Sequence, residues 1–132
     1  MIGEVRVVED VPLAFATLAT EAIRSSASPR FVLGCSGGSS GAACFAALAT
    51  RDLPWTCVEV VFADERCVPA DSPEYNGHAI AVALGPRLAE VAAYHPMSCA
   101  DGPEPYAALL ESLGGIDLLQ LGLGPDGHTA SI

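Results

Sequence analysis

The chain has 132 residues, of which 51% are hydrophobic and 17% are charged. This length suits one domain, the composition is too apolar for a disordered chain, and no apolar run approaches the roughly 18 residues of a membrane span. Sixteen carboxylates against six basic residues, all of them arginine, give a formal charge of -10. We expect neither nucleic acid nor a membrane as a partner, because this charge repels phosphate, and the lack of lysine excludes Schiff-base and Walker-A chemistry within this chain.

The chain starts with the acidic stretch MIGEVRVVED, which does not resemble a signal peptide. Its five cysteines are odd in number and irregularly spaced, with no CxxC pair, and its three histidines stand apart in the sequence. This pattern favours reduced thiols in a cytoplasmic protein, and it predicts neither a disulfide framework nor a zinc site. We expect the protein to use no metal and no cofactor. The cysteines are Cys35, Cys44, Cys57, Cys67 and Cys99, and the histidines are His78, His95 and His128.

Amphipathic stretches alternate with short apolar runs along the chain. The first predicted helix covers residues 11–24, with Asp10 as its N-cap. Its apolar face is predicted to be Val11, Phe15, Leu18 and Ala22. Further helices are predicted over 41–50, from an Asn76 cap to Gly85-Pro86, and over 104–113, and strands over 31–35, 57–63, 91–95 and 116–121.

This order predicts an α/β fold of Rossmann-like type, a three-layer sandwich in which helices cover both faces of a mostly parallel sheet. We interpret residues 1–132 as one domain. In such sheets ligands bind beyond the carboxyl ends of the strands. Three loops leave predicted strands there: the first loop (36–41, SGGSSG), the second loop (63–69, ADERCVP) and the third loop (122–131, GLGPDGHTAS).

The end of the chain suggests that the domain continues. The last predicted strand is apolar throughout, which suits a strand with two neighbours better than an edge. The third loop carries Asp126 and His128 within the last seven residues, where chain ends fray. We therefore expect the 132-residue chain alone to be a poor enzyme and a poor autonomous fold.

The first loop joins a strand to a helix. Gly37 and Gly38 let backbone N–H groups approach an anion, and Ser39 and Ser40 add hydroxyl donors at the helix N-terminus. The alternative is an ordinary tight turn with a serine cap. The loop also matches G-x-S-x-G twice, but a serine hydrolase is disfavoured because too little chain precedes the loop to build an oxyanion strand.

The second loop places Asp64, Glu65 and Arg66 at the end of a strand. A planar guanidinium suits a phosphate or a carboxylate, so Arg66 is a candidate anion ligand. The alternative is a surface ion pair among these three residues.

The third loop contains a literal GxGxxG at 122–127. As a dinucleotide fingerprint it is weak, because Pro125 interrupts it and no acidic residue follows some twenty positions later. Asp126 and His128 instead suggest a general base, since a carboxylate fixes the tautomer of an imidazole and raises its basicity. The alternative is a lone loop histidine that is solvated or hydrogen-bonded locally.

Taken together, the segments GGSS, VVFADERCVP, Tyr75-Asn76 and LLQLGLGPDGHTAS resemble the 6-phosphogluconolactonases. That family is related in fold to the glucosamine-6-phosphate deaminases and isomerases, whose similar loop usually continues with Ile-Ala-Phe-Asn after the histidine. Here Thr129, Ala130 and Ser131 follow, which favours the lactonase. Ser40 stands where the family often has Thr, and family members are considerably longer than this chain.

The resemblance implies hydrolysis of 6-phosphoglucono-δ-lactone, a phosphosugar lactone of the oxidative pentose phosphate pathway, to 6-phosphogluconate. His128 would be the general base, Asp126 would orient it, and Arg66 would bind the substrate anion or the oxyanion. The implied substrate-binding residues are Gly37, Gly38, Ser39, Ser40, Asp64 and Arg66. Two alternatives stay open: an amino-sugar phosphate deaminase or isomerase, and a sugar-phosphate-binding module without catalysis.

Overall fold

Four strands and four α-helices make up the computed structural model, which describes residues 3–132. The helices are α1 (Val11–Ser25), α2 (Gly38–Ala49), α3 (Asn76–Leu84) and α4 (Glu104–Leu113). The strands are β1 (Phe31–Cys35), β2 (Val58–Phe62), β3 (Ala93–Tyr94) and β4 (Leu118–Gln120). They form one sheet in the order β3-β2-β1-β4, in which every neighbouring pair is parallel. The predicted α/β fold with a parallel sheet is confirmed.

The strand order reverses at β1, because β2 and β3 lie on one side of it and β4 lies on the other. In parallel sheets this reversal opens a crevice at the carboxyl ends of the two strands that flank it. The crevice therefore opens between the first loop, which follows β1, and the third loop, which follows β4.

The hydrophobic core lies on one face of the sheet. Side chains alternate along a strand, and the residues of β1 and β2 that belong to the core are Phe31, Leu33, Cys35, Val58, Val60 and Phe62. Helices α1, α2 and α3 cover this face with Ala16, Ala19, Ile23, Cys44, Phe45, Leu48, Ile80 and Leu84. Burial of this set holds the strand ends, and hence the crevice, in place.

The predicted apolar face of α1 is partly wrong. Its buried residues are Ala16, Ala19 and Ile23, whereas Val11 and Leu18 are 60% and 46% exposed. Small alanines allow close packing against α2, an advantage that hydrophobicity alone does not reveal. The predicted cap is confirmed, since the Asp10 carboxylate accepts the Leu13 N–H at 2.8 Å.

Several predicted boundaries are also wrong. Helix α2 begins at Gly38 rather than Gly41, and its N-cap Gly37 provides no side-chain hydrogen bond, so neither Ser39 nor Ser40 caps it. Strands β3 and β4 contain two and three residues, fewer than the runs 91–95 and 116–121 predict. Short pairing registers explain this, because β3 pairs with only two residues of β2 and β4 with only three of β1.

Strand β4 lies at the edge of the sheet within the described residues and pairs there with β1 alone. Gly34 leaves room for the Leu119 side chain of β4, because a Cβ at Gly34 would stand 2.6 Å from Leu119 Cδ1. Leu119 and Leu121 are 40% and 48% exposed. No helix within residues 3–132 combines the length and apolar character that a membrane crossing requires.

The expectation of five reduced thiols is wrong for two of them. Cys67 and Cys99 form a disulfide, with their Cα atoms 5.5 Å apart, while Cys35, Cys44 and Cys57 are free. The pairing depends on residues 32 positions apart being brought together by the fold, which sequence spacing cannot show. The cysteines therefore no longer support the predicted cytoplasmic location, which stays a prediction.

Candidate active site

The three loops meet at the carboxyl edge of the sheet around an open cavity of about 400 Å³. The cavity is polar, and residues from all three loops and from the start of α3 line it. They are Ser36, Gly37, Gly38, Ser39, Ser40, Asp64, Arg66, Asn76, Gly122, Leu123, Gly124, Pro125, His128 and Ala130. Of the predicted site residues, all but Asp126 line this cavity, and Asp126 contacts His128 directly.

The first loop places the start of α2 at the cavity. The first backbone N–H groups of a helix have no partner within it, and no side chain caps α2. Gly38, Ser39 and Ser40 form its first turn and line the cavity. This arrangement provides N–H and hydroxyl donors together with the positive end of a helix dipole, which is suited to an anion.

Ser36 joins the first loop to the third. It is 4% exposed, its backbone N–H donates to Gln120 O at 2.9 Å, and its Oγ accepts the Gly122 N–H at 2.9 Å. Within the described part of the chain, Ser36 makes no hydrogen bond to an imidazole. The geometry therefore gives Ser36 a connecting role and does not favour it as the nucleophile of a serine hydrolase.

The second loop presents Arg66 to the cavity without a partner for its side chain. Among residues 3–132 the Arg66 guanidinium has no ion pair and no hydrogen bond, so the alternative of a surface ion pair with Asp64 or Glu65 is wrong. The Asp64 carboxylate instead accepts the Ser131 hydroxyl at 2.5 Å. A free guanidinium beside a helix N-terminus concentrates positive potential in a chain with a net charge of -10.

The third loop holds Asp126 and His128 in direct contact. His128 Nδ1 and Asp126 Oδ1 are hydrogen-bonded, and this bond lowers the pKa of Asp126 from its ordinary value of 3.8. An ionised carboxylate can only accept, so Nδ1 carries the proton and Nε2 is the free basic nitrogen. The side chains of His128 and Asp126 are 47% and 74% exposed. His128 is therefore hydrogen-bonded within its own loop, an arrangement that fits both the general-base hypothesis and the alternative of a locally hydrogen-bonded histidine.

Backbone contacts inside the third loop fix this pair. The Gly124 N–H donates to His128 O at 2.8 Å, and the Thr129 hydroxyl donates to Gly122 O at 2.7 Å. A Cβ at Gly124 would lie 2.3 Å from His128 Cε1. Gly124 is therefore required for the imidazole to lie over the loop.

The Cys35 thiol is not available as a nucleophile at this edge of the sheet. Cys35 ends β1 directly beneath the cavity, but it is fully buried, and burial raises the pKa of its thiol far above neutral pH. A buried protonated thiol is a poor nucleophile. Within residues 3–132, no three His, Cys, Asp or Glu side chains are grouped in a way that could hold a metal ion.

Two site residues carry roles that sequence reasoning did not assign. Asn76, predicted as a helix cap, is the first residue of α3 and is 4% exposed. Its Nδ2 donates to Asp64 O at 3.1 Å, and a Cβ at Gly37 would lie 1.6 Å from its Oδ1. Ser131 binds Asp64 across 67 positions of sequence. A polar residue at the start of an apolar helix was the available signal for Asn76, whereas Ser131 gave no local signal.

Comparisons with known proteins agree with this geometry. The family model described as glucosamine-6-phosphate isomerases/6-phosphogluconolactonase matches residues 4–132. A 6-phosphogluconolactonase of Mesorhizobium japonicum is 42% identical over 106 residues, which cover 76% of this chain and 44% of that protein. The chain thus spans less than half the length of this curated relative.

Solved structures show the same fold. A 6-phosphogluconolactonase of Shewanella baltica superposes on this chain with a TM-score of 0.79 at 26% identity. The superposition covers 91% of this chain and 57% of the Shewanella chain. A monomeric glucosamine-6-phosphate deaminase superposes with a TM-score of 0.74 at 20% identity, and the superposition covers 97% of this chain and 57% of the deaminase chain. This second likeness shows the fold alone. The family model matches residues 4–132, which is nearly the whole chain. The chain therefore belongs to the glucosamine-6-phosphate isomerase/6-phosphogluconolactonase family.

Proposed function

We propose that this chain carries the active site of a 6-phosphogluconolactonase, which hydrolyses 6-phosphoglucono-δ-lactone to 6-phosphogluconate. The observation that carries the proposal is that the Asp126–His128 pair, the free Arg66 guanidinium and the uncapped start of α2 face one cavity. A base beside an anion site fits a phosphorylated ester. The relatives named above as lactonases support this choice.

In the proposed reaction, His128 Nε2 takes a proton from water as the water oxygen attacks the lactone carbonyl carbon. Asp126 holds the imidazole in the required tautomer and stabilises the imidazolium that forms. The bond between the carbonyl carbon and the ring oxygen then breaks, and the ring oxygen receives the proton as it becomes a hydroxyl. General-base catalysis of this kind contributes about 10²–10⁴-fold.

The substrate anion would bind at the other side of the cavity. Gly37, Gly38, Ser39 and Ser40 would offer backbone and hydroxyl donors, and Arg66 would supply the positive charge. Asp64 lies at this edge too, but its carboxylate binds Ser131 and Asn76. The sequence predicts that Asp64 binds substrate. In this proposal Asp64 acts indirectly, because its carboxylate joins the second loop to the third loop and to the start of α3.

The first prediction tests His128. In an active preparation of the protein, assayed for lactonase activity with correction for spontaneous hydrolysis, His128→Gln should lower kcat by at least about a hundredfold with little change in KM, because the base acts mainly in the transition state. His78→Gln is the matched control, since His78 is exposed on α3 and does not line the cavity. Full activity of His128→Gln would remove His128 from the mechanism.

The same preparation separates the alternatives. Release of ammonia from glucosamine 6-phosphate would identify a deaminase instead of a lactonase. Binding of 6-phosphogluconate without hydrolysis above the spontaneous rate would identify a binding module. Either result would overturn the proposed activity while leaving the family assignment intact.

A further inference from the structure

Glu65 stands next to Arg66 in the second loop, yet it does not pair with the guanidinium. Its carboxylate accepts three backbone N–H groups instead: Asn76 at 2.6 Å, Arg66 at 2.7 Å and Gly77 at 2.8 Å. Two of these donors belong to the first turn of α3. Glu65 is therefore a helix cap supplied from 11 residues away along the chain.

This contact is strong for physical reasons. Hydrogen bonds from N–H groups to a carboxylate are charge-assisted, and a negative charge at a helix N-terminus is stabilised by the helix dipole. Tyr75, the local N-cap position, makes no side-chain cap. Asn76 and Gly77 are both buried, so their N–H groups would be costly to leave without a partner.

The same contact determines what Arg66 can do. One carboxylate oxygen of Glu65 accepts both the Arg66 N–H and the buried Asn76 N–H, which ties the backbone of Arg66 to the start of α3. The carboxylate oxygens of Glu65 accept backbone donors, and within residues 3–132 Glu65 forms no ion pair with the neighbouring guanidinium. Arg66 is thus both fixed in position and left available for a ligand.

We propose that Glu65 is a positioning residue that holds Arg66 at the cavity for an anionic sugar phosphate, an inference that rests on the proposed function. It acts through the backbone and touches no substrate itself. Gln at this position keeps the size but loses the charge and one acceptor oxygen, so the amide NH2 would face the Asn76 or Gly77 donor.

The test is a double-mutant cycle on the affinity for 6-phosphogluconate, measured by calorimetry with the full chain. Glu65→Gln should weaken binding about tenfold, because it removes charge-assisted hydrogen bonds that hold the backbone of Arg66 in place. In an Arg66→Ala background the same change should cost less than about twofold, because its effect runs through Arg66. Asp71→Asn is the control, since Asp71 is exposed in the same polar segment and its side chain accepts no hydrogen bond within residues 3–132.

Amide hydrogen exchange provides a readout that needs no ligand. Exchange at Arg66, Asn76 and Gly77 should be faster in Glu65→Gln than in Asp71→Asn, while the core strands should exchange alike in both. Unchanged binding by Glu65→Gln, an equal loss in the Arg66→Ala background, or unchanged exchange at Arg66 would each overturn the proposal. If the unmodified chain fails to bind 6-phosphogluconate, the proposed function fails, and exchange at Arg66 still decides whether Glu65 holds it.

Discussion

The first and third loops line one cavity but are held in very different ways. The two ends of the first loop are packed into the fold: Ser36 is 4% exposed, and a Cβ at Gly41 would lie 2.2 Å from the Ser36 carbonyl oxygen. The third loop lies at the surface, where the side chains of His128 and Asp126 are 47% and 74% exposed. Short hydrogen bonds within the loop hold this pair.

This difference separates stability from chemistry. Substitutions at Ser36 or Gly41 must displace backbone or buried atoms, so they are expected to affect folding and anion binding together. Substitutions in the third loop contact exposed side chains, which can rotate toward solvent. These substitutions are therefore expected to affect catalysis with little change in stability. The second loop lies between these cases, because Glu65 and a disulfide tie it down although none of its residues is buried.

The largest stability effect should come from the disulfide that ties down the second loop. Cys67 and Cys99 are 32 positions apart, and chain entropy predicts about 3–4 kcal/mol for a loop of this size. Cys67→Ser or reduction by dithiothreitol should therefore lower Tm by roughly 10 °C, measured by calorimetry.

Cys99→Ser should give the same shift, and the double variant should add nothing to it, because both changes remove one bond. Cys57→Ser, which removes a free thiol, is the control. Equal Tm values for oxidised and reduced protein would show that the bond does not contribute to stability.

A smaller loss is expected for Gly41→Ala in the first loop. The new Cβ would meet a backbone oxygen that cannot rotate away, and overpacking of this kind costs about 1–3 kcal/mol. Thermal unfolding of Gly41→Ala should show this loss, while Ser40→Ala, at an exposed position in the same helix turn, should unfold close to the unmodified chain.

Gly124→Ala applies the same change to the third loop and tests the comparison directly. Its Cβ would stand 2.3 Å from His128 Cε1, a side chain free to turn outward. We expect a change in stability within about 0.5 kcal/mol but a loss of lactonase activity that approaches that of His128→Gln. A Gly124→Ala variant as unstable as Gly41→Ala would show that both loops are equally packed.

The sequence predicted the elements that depend on local pattern and missed those that depend on tertiary contact. The strand over Phe31–Cys35 and the helix over Glu104–Leu113 were predicted at their observed bounds, because an apolar run ending before a glycine loop and a Pro/Gly-bounded helix are local signals. The start of α2 at Gly38 was missed because glycine is a poor helix former. The close packing of Gly41 against the Ser36 carbonyl is a tertiary contact, which a local pattern does not reveal.

The site shows the same division. The contact between Asp126 and His128 could be predicted because the residues are two positions apart. The capping of α3 by Glu65 could not, since an ion pair with adjacent Arg66 was the simpler local expectation. The cavity brings both kinds of contact together because all three loops leave parallel strands at one edge.

The smallest expected effect concerns the charge of Asp126. Its hydrogen bond with His128 lowers the pKa of the Asp126 carboxyl below 3.8, so this contact favours the folded protein above the ordinary pKa and its contribution is lost as the pH falls through the lowered value. In an NMR titration of the carboxyl carbon, His128→Ala should return the pKa of Asp126 toward 3.8. His78→Ala, which removes an exposed histidine of α3, should leave it lowered. An unchanged Asp126 titration in His128→Ala would mean that the pair does not persist in solution, and the exposed loop would then lack the orienting contact that a general base needs.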